Sequence, residues 1–270
     1  MNRVNAVFSR AREEGTSALL PFVCAGSPEV DSLPKLLPAL QSAGASLIEV
    51  GFPYSDPIAD GPTIAAAMHV ALEKGIAPTR IFEQVRSVRD QLDIAVVAMV
   101  SVSIVTAMGG AESFVKKATD AGFDGFIFPD LPLDETEDYR KACAQHDATM
   151  TLLISPSSPT ARAVEIANAS TGFAYLLARA GVTGERSDVP DIAERVRSIR
   201  TKSKTPIACG FGISTPEQVA EIVKHADGAI VGSALVRRLI ETHKSGGDYV
   251  AEAELVVHEL ATGLISMENL

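Results

Sequence analysis

Glu49 lies inside the otherwise apolar run Ser46-Leu47-Ile48-Glu49-Val50-Gly51. A carboxylate near the end of an apolar strand is costly to bury without a partner or a raised pKa, which marks it as a candidate acid–base group. Eleven residues later Asp60 stands in the loop Asp56-Pro57-Ile58-Ala59-Asp60-Gly61-Pro62. Asp before Pro and Asp before Gly are also ordinary turn formers, so read singly Asp56 and Asp60 need no further role. Beside Glu49, however, Asp60 supplies a second carboxylate over the same strand end. Such a pair can move a proton and stabilise a developing cation.

The C-terminal half reads as an anion site. Glycine-containing turns occur at Gly181-Val182-Thr183-Gly184, Gly210-Phe211-Gly212-Ile213 and Val231-Gly232-Ser233-Ala234, each after an apolar run. The last opens onto a helix pattern over 234–242, and backbone N–H groups at such a helix start bind phosphate without a lysine. Other polar residues carry less. His69, His146, His225, His243 and His258 fall in helical stretches without metal-ligand spacing, and read as surface histidines. Cys24 and Cys209, at apolar strand ends, read as small hydrophobes. Arg179 either pairs with a substrate anion or orders its own loop.

The elements that must position these groups recur along the chain. Apolar, β-branched or aromatic runs begin near Leu19, Ser46, Ile94, Gly125, Met150, Phe173, Pro206 and Gly228. They are continuous rather than alternating, as strands buried on both faces of a parallel sheet must be. Amphipathic segments lie between them, for example over 111–121, 135–145, 161–168, 191–201 and 216–225. Eight strand–helix units in strict alternation predict a (β/α)8 TIM barrel rather than an open doubly wound sheet. Two features exceed the minimal barrel. One is an extra N-terminal helix over 4–14, placed to close the bottom. The other is an extra helix after strand 2, in the long interval that carries Asp60. Barrel enzymes keep their chemistry at the C-terminal strand ends and often hold phosphate after strands seven and eight.

The chain has 270 residues, close to the ~250 of one such barrel, and reads as a single domain over 1–270. With 24 basic and 34 acidic residues its formal charge is −10, which disfavours nucleic acid and anionic membrane surfaces as partners. The longest apolar run, 94–100, is far short of the ~20 residues of a spanning helix. Three widely spaced cysteines without C-x-x-C suit a reduced, cytoplasmic, metal-free protein.

The stretch LIEVGFPYSDPIADGPTI resembles the signature of the tryptophan synthase α subunit family, L-E-[LIV]-G-x-P-[FY]-S-D-P-x-A-D-G-P. FIFPDLPLDE, LLARAGVTG, PIACGFGIS and AIVGSALV resemble the segments at the family's fourth, sixth, seventh and eighth strands, in order, so the likeness runs from about Leu20 to Leu239. It implies cleavage of indole-3-glycerol phosphate to indole and glyceraldehyde 3-phosphate without a cofactor. By that resemblance Glu49 shuttles protons between the indole ring carbon and the glycerol hydroxyl, and Asp60 stabilises charge at the indole N–H. Thr183 orients Asp60 when the sixth-strand loop closes. Phe22, Ile64, Tyr175 and Phe211 match the indole and ligand pocket, and Gly184, Phe211, Gly212, Gly232 and Ser233 the phosphate cradle.

The resemblance also implies a partner, the pyridoxal-phosphate β subunit, in an α2β2 assembly through which indole passes; 52–62 and 130–133 are the surfaces that suit it. Two stretches depart from the family. Ser101-Val102-Ser103-Ile104 replaces a segment resembling Y-Y-N-P, and Cys24-Ala25-Gly26-Ser27-Pro28 replaces T-A-G-[DY]-P. Neither removes a proposed acid or base. The rival readings are another phosphate-binding barrel enzyme, a non-catalytic regulator that binds a phosphate ligand, and a lyase working without a partner. Absent strand-end histidines argue against metal-dependent epimerases and absent strand lysines against indole-glycerol-phosphate synthases; retention of Glu49, Asp60 and Thr183 together argues against the regulator.

Overall fold

The structure, a computed structural model, describes residues 1–57, 61–177, 192–210 and 212–264. A first helix, α1 (Arg3–Glu13), is capped by the Asn2 side chain on the Val4 N–H. Strands β1 (Ala18–Cys24), β2 (Leu47–Gly51), β3 (Ala95–Met99) and β4 (Gly125–Ile127) follow, then β5 (Thr149–Thr151), β6 (Leu153–Ile154), β7 (Ala174–Leu177), β8 (Ile207–Gly210) and β9 (Gly228–Val231). All pair in parallel in the order β5-β4-β3-β2-β1-β9-β8-β7-β6. β5 and β6 are two pieces of one extended run interrupted at Leu152. The two ends of that order therefore meet, and the sheet closes as a (β/α)8 TIM barrel of eight strand positions.

The register fixes how side chains stack inside. Ladder partners lead from Phe22 through Glu49, Val97 and Gly125 to Thr149. In the other direction they lead from Ala18 through Gly228, Ala208 and Tyr175 to Leu153. Phe22 lies four residues beyond Ala18 and Leu153 four beyond Thr149, so the ladder returns eight residues out of step, the stagger of this barrel class. With one residue of stagger per strand, inward side chains of alternate strands come level. Glu49, Ile127, Tyr175 and Ile230 form the middle layer. Leu20, Val97, Thr151 and Ala208 lie beneath it, and Phe22, Met99, Leu153 and Gly210 above. The intervening residues, such as Leu19, Ile48, Val96, Phe126 and Cys209, point outward into the main core beneath the helices.

The helical shell comprises α2 (Leu33–Ser42), α3 (Pro62–Glu73), α4 (Pro78–Val88), α5 (Val102–Ala107), α6 (Gly110–Ala121) and α7 (Glu137–Gln145), continued by α8 (Thr160–Ala169), α9 (Ala193–Arg200), α10 (Pro216–Val223), α11 (Ser233–Lys244) and α12 (Tyr249–Ala261). The interval after β2 holds two helices, α3 and α4, as its pattern predicts. α10 starts on a reciprocal capping box between Thr215 and Gln218. α6 stops at Gly122, whose φ of +107° suits glycine. Two helices go beyond the sequence reading. α5 forms within the atypical stretch after β3, and α12 follows α11, capped by Asp248 on the N–H groups of Val250 and Ala251.

At the N-terminal end α1 seals the barrel. Val4 and Phe8 join the interior cluster with Leu20, Leu47 and Phe173, and the Phe8 and Phe173 rings lie 5.4 Å apart. This leaves the C-terminal end as the open mouth.

Candidate active site

Glu49 projects inward from β2 into the middle layer and is fully buried. It lies between Phe22 of β1 and Val97 of β3 in the ladder. Neither carboxyl oxygen has a hydrogen-bond partner among the described residues. Burial without a compensating donor raises its pKa well above the ordinary carboxyl value, so the protonated form persists far beyond the usual range. A group so held can donate a proton and take it back.

Above Glu49 stands an apolar wall. Phe22 and Ile64 cluster with Cys24, Ala67, Met68 and Val236, edged by Tyr54, Met99 and Ile240. Three elements build it: β1, the start of α3, and α11. Gly232 completes it, since a side-chain carbon there would lie 3.5 Å from Ile64 Cδ1 and 3.7 Å from Phe22 Cβ. Phe22, Ile64 and Gly232, three residues far apart in the chain, are thus neighbours at one mouth. Tyr175 rises from the middle layer with its hydroxyl against Gly210, where a side-chain carbon would meet it at 2.1 Å.

The phosphate-type features converge on the ends of β8 and β9. Gly210 pairs with Ile230, so Gly212 and Gly232 each follow two residues beyond a matched pair. Gly212 has φ +49°, a left-handed conformation. Gly232 is the N-cap of α11 and Ser233 its first residue, with no side-chain cap among the described residues. The first helical N–H groups, from Ser233 onward, have no carbonyl within the helix to bond and so present a partial positive charge. Asp60, Thr183, Gly184 and Phe211, together with Arg179, lie outside the described residues.

The remaining sequence candidates fall elsewhere. His69 pairs with Glu73 at 3.3 Å and His146 with Glu112 at 2.8 Å on the outer helices, and the His243 ring packs edge-on against Tyr249. Cys24, Cys143 and Cys209 are buried and none is in a disulfide, and burial pushes the thiols of Cys143 and Cys209 up to about 12. Among the described residues no three His, Cys, Asp or Glu side chains gather as metal ligands would, and no helix is long and apolar enough to cross a membrane.

One polar arrangement at the mouth escaped the sequence reading. The Asp130 carboxylate accepts from Ser101 Oγ at 2.6 Å and from the Val102 N–H at 2.9 Å. Ser101 in turn caps α5 through the Ser103 N–H. Asp130 thereby ties the loop after β4 to the start of α5. A serine–aspartate pair twenty-nine positions apart gives no local sequence signal.

The family model described as "Tryptophan synthase alpha chain" matches residues 8–264. A tryptophan synthase alpha chain of Synechococcus sp. (strain CC9902) is 42% identical over 255 residues, covering 94% of each chain. That of Methanosarcina mazei is 39% identical over 264 residues, covering 97% of this chain and 94% of its own. Among solved structures, Mycobacterium tuberculosis tryptophan synthase superposes with a TM-score of 0.87 at 34% identity, covering 97% of this chain and 98% of that one. The tryptophan synthase subunit alpha of Legionella pneumophila gives 0.89 at 28% identity, covering 100% of both.

Proposed function

The chain belongs to the tryptophan synthase alpha chain family, and on that footing we propose that Glu49 and Asp60 carry the acid–base and electrostatic steps of its reaction. The reaction is the retro-aldol cleavage of indole-3-glycerol phosphate to indole and glyceraldehyde 3-phosphate, the α reaction of L-tryptophan biosynthesis. The chain is therefore a carbon–carbon lyase, and it works with a tryptophan synthase β subunit in a heterotetramer. We place it in the cytoplasm, where its reduced thiols fit.

The observation that carries the assignment is Glu49: a buried carboxyl group with no hydrogen-bond partner among the described residues, beneath an apolar wall whose Phe22 and Ile64 adjoin Gly232 at the start of α11. Indole leaves only after its ring is protonated at C3. Protonated Glu49 supplies that proton, and Asp60 stabilises the positive charge that develops at the indole nitrogen. The carboxylate so formed takes the proton from the hydroxyl on the carbon bonded to the ring. That oxygen becomes the aldehyde oxygen, the carbon–carbon bond breaks, and its electron pair restores the aromatic ring. The proton count closes with Glu49 protonated again. Thr183 orients Asp60. Phe22, Ile64 and Tyr175 hold the indole, and the backbone around Gly212, Gly232 and Ser233, with Gly184 and Phe211, holds the phosphate.

The test is indole release from indole-3-glycerol phosphate by the purified chain, alone and with a β subunit, beside Glu49→Gln and Asp60→Asn. The reading requires loss of release in both variants while each stays folded. Full turnover by either variant removes that residue from the mechanism. A folded chain that binds a glycerol phosphate but releases no indole under any condition favours the phosphate-binding regulator instead.

A further inference from the structure

We infer that Thr151 is a positioning residue for Glu49, its hydroxyl holding the carboxyl group through one internal water from the layer beneath. The inference rests on the acid–base reading of Glu49 given above.

The barrel interior is apolar apart from a few groups. β5 directs two hydroxyls inward, those of Thr149 and Thr151, and neither has a partner among the described residues, nor do the two oxygens of Glu49. All three residues are buried, Thr151 and Glu49 completely. Buried polar groups are normally hydrogen-bonded, and a buried water serves where two or more polar groups face the same space. Thr149 does not share Glu49's space. Its oxygen sits over Gly125, 2.1 Å from where a side-chain carbon would be, and its Cβ packs against Gly172 near Val4 at the sealed end. Thr151 lies two residues higher on the same inward face. The register puts it in the layer directly under Glu49, alongside the apolar Leu20, Val97 and Ala208, of which Ala208 has the smallest side chain.

Among the described residues the other members of these layers are largely apolar. Glu49's own layer contains Ile127 and Ile230, and the hydroxyl of its third member, Tyr175, rises away towards Gly210. Among the described residues the titratable groups facing Glu49 from the surrounding elements are Tyr175 on β7 and Cys24 on β1, with Tyr54 at the rim; α1 contributes the apolar Val4, Val7 and Phe8. A water donating to the carboxylate favours its charged form, so it counters part of the desolvation that burial imposes. It also limits the carboxyl group to one orientation beneath the substrate.

The experiment compares Thr151→Val, which deletes the hydroxyl at constant shape, with Thr151→Ser, which keeps it. The titration of Glu49 is followed by carboxyl infrared absorption, assigned by subtraction of Glu49→Gln, and by the pH dependence of kcat. Thr151→Val moves the Glu49 midpoint and the corresponding limb of the rate profile upward by about one pH unit, the scale of one lost hydrogen bond to a charged group. Thr151→Ser stays with the parent. A Thr151→Val midpoint equal to the parent's overturns the inference; if that variant fails to fold, Thr151→Ala carries the same comparison. Glu49→Gln with full turnover overturns the acid–base assignment itself, so the two failures are distinct.

Discussion

The ring of Phe22 lies directly over the backbone of Gly51, where an added side-chain carbon would meet Phe22 Cζ at 2.3 Å. Phe22 belongs to the proposed indole wall, and Gly51 ends the strand that carries Glu49. The glycine thus sets how far the wall reaches across the acid. Gly51→Ala displaces the ring at an overpacking cost of about 1–3 kcal/mol. Thermal melting reads that loss, and the KM for indole-3-glycerol phosphate rises with it.

Gly232 makes the opposite case. The nearest atom to an added side-chain carbon is Ile64 Cδ1 at 3.5 Å, an ordinary contact, and its φ is negative at −115°. Gly232→Ala therefore leaves the melting temperature within the change expected of about 0.5 kcal/mol. The methyl group stands at the open start of α11, and the affinity for glyceraldehyde 3-phosphate falls roughly tenfold, about the 1.4 kcal/mol of one hydrogen bond to a charged group. Calorimetric titration checks it.

Glu49→Gln changes stability in a pH-dependent way. The folded-state pKa of Glu49 is raised above its ordinary 4.5 by burial, so its favourable share of stability is complete below that value. It is lost as the pH climbs towards the folded-state pKa. The amide has no such loss. The variant therefore gains on the parent as pH rises from about 4.5, by at most about 1.4 kcal/mol per pH unit. Denaturant midpoints at several pH values read this; a constant difference from acid to neutral pH contradicts it.

Asp130→Ala removes the acceptor for Ser101 Oγ and the Val102 N–H. The start of α5 loses about 0.5–2 kcal/mol of capping, seen as a lowered melting temperature. The loops after β3 and β4 then move independently at the mouth. Stimulation of indole release by the β subunit falls, while release by the chain alone changes little.

Much of this was legible beforehand because a parallel barrel writes a strong pattern. Strands buried on both faces need continuous apolar runs, and the run holding Glu49 broke that pattern with the one group that needs an explanation. Gly212 and Gly232 were visible because glycines recur at successive strand ends. Thr149 and Thr151 were not, since threonine is an ordinary strand residue and only the register shows which way it points. α12 carries a helical repeat of buried residues at Tyr249, Ala253, Val256, Val257 and Leu260, a signal present but unread behind α11. The bond between Ser101 and Asp130 is long-range, and no spacing announces it.

The seal made by α1 turns the barrel into a vessel closed at its base. With Val4 and Phe8 packed into the floor, what is made above Glu49 has no downward exit. Substrate entry and indole departure must share the rim where Tyr54 and Ile64 stand. Whatever docks at that rim decides where the indole goes next, so command over the product's fate belongs to the rim rather than to the acid beneath it.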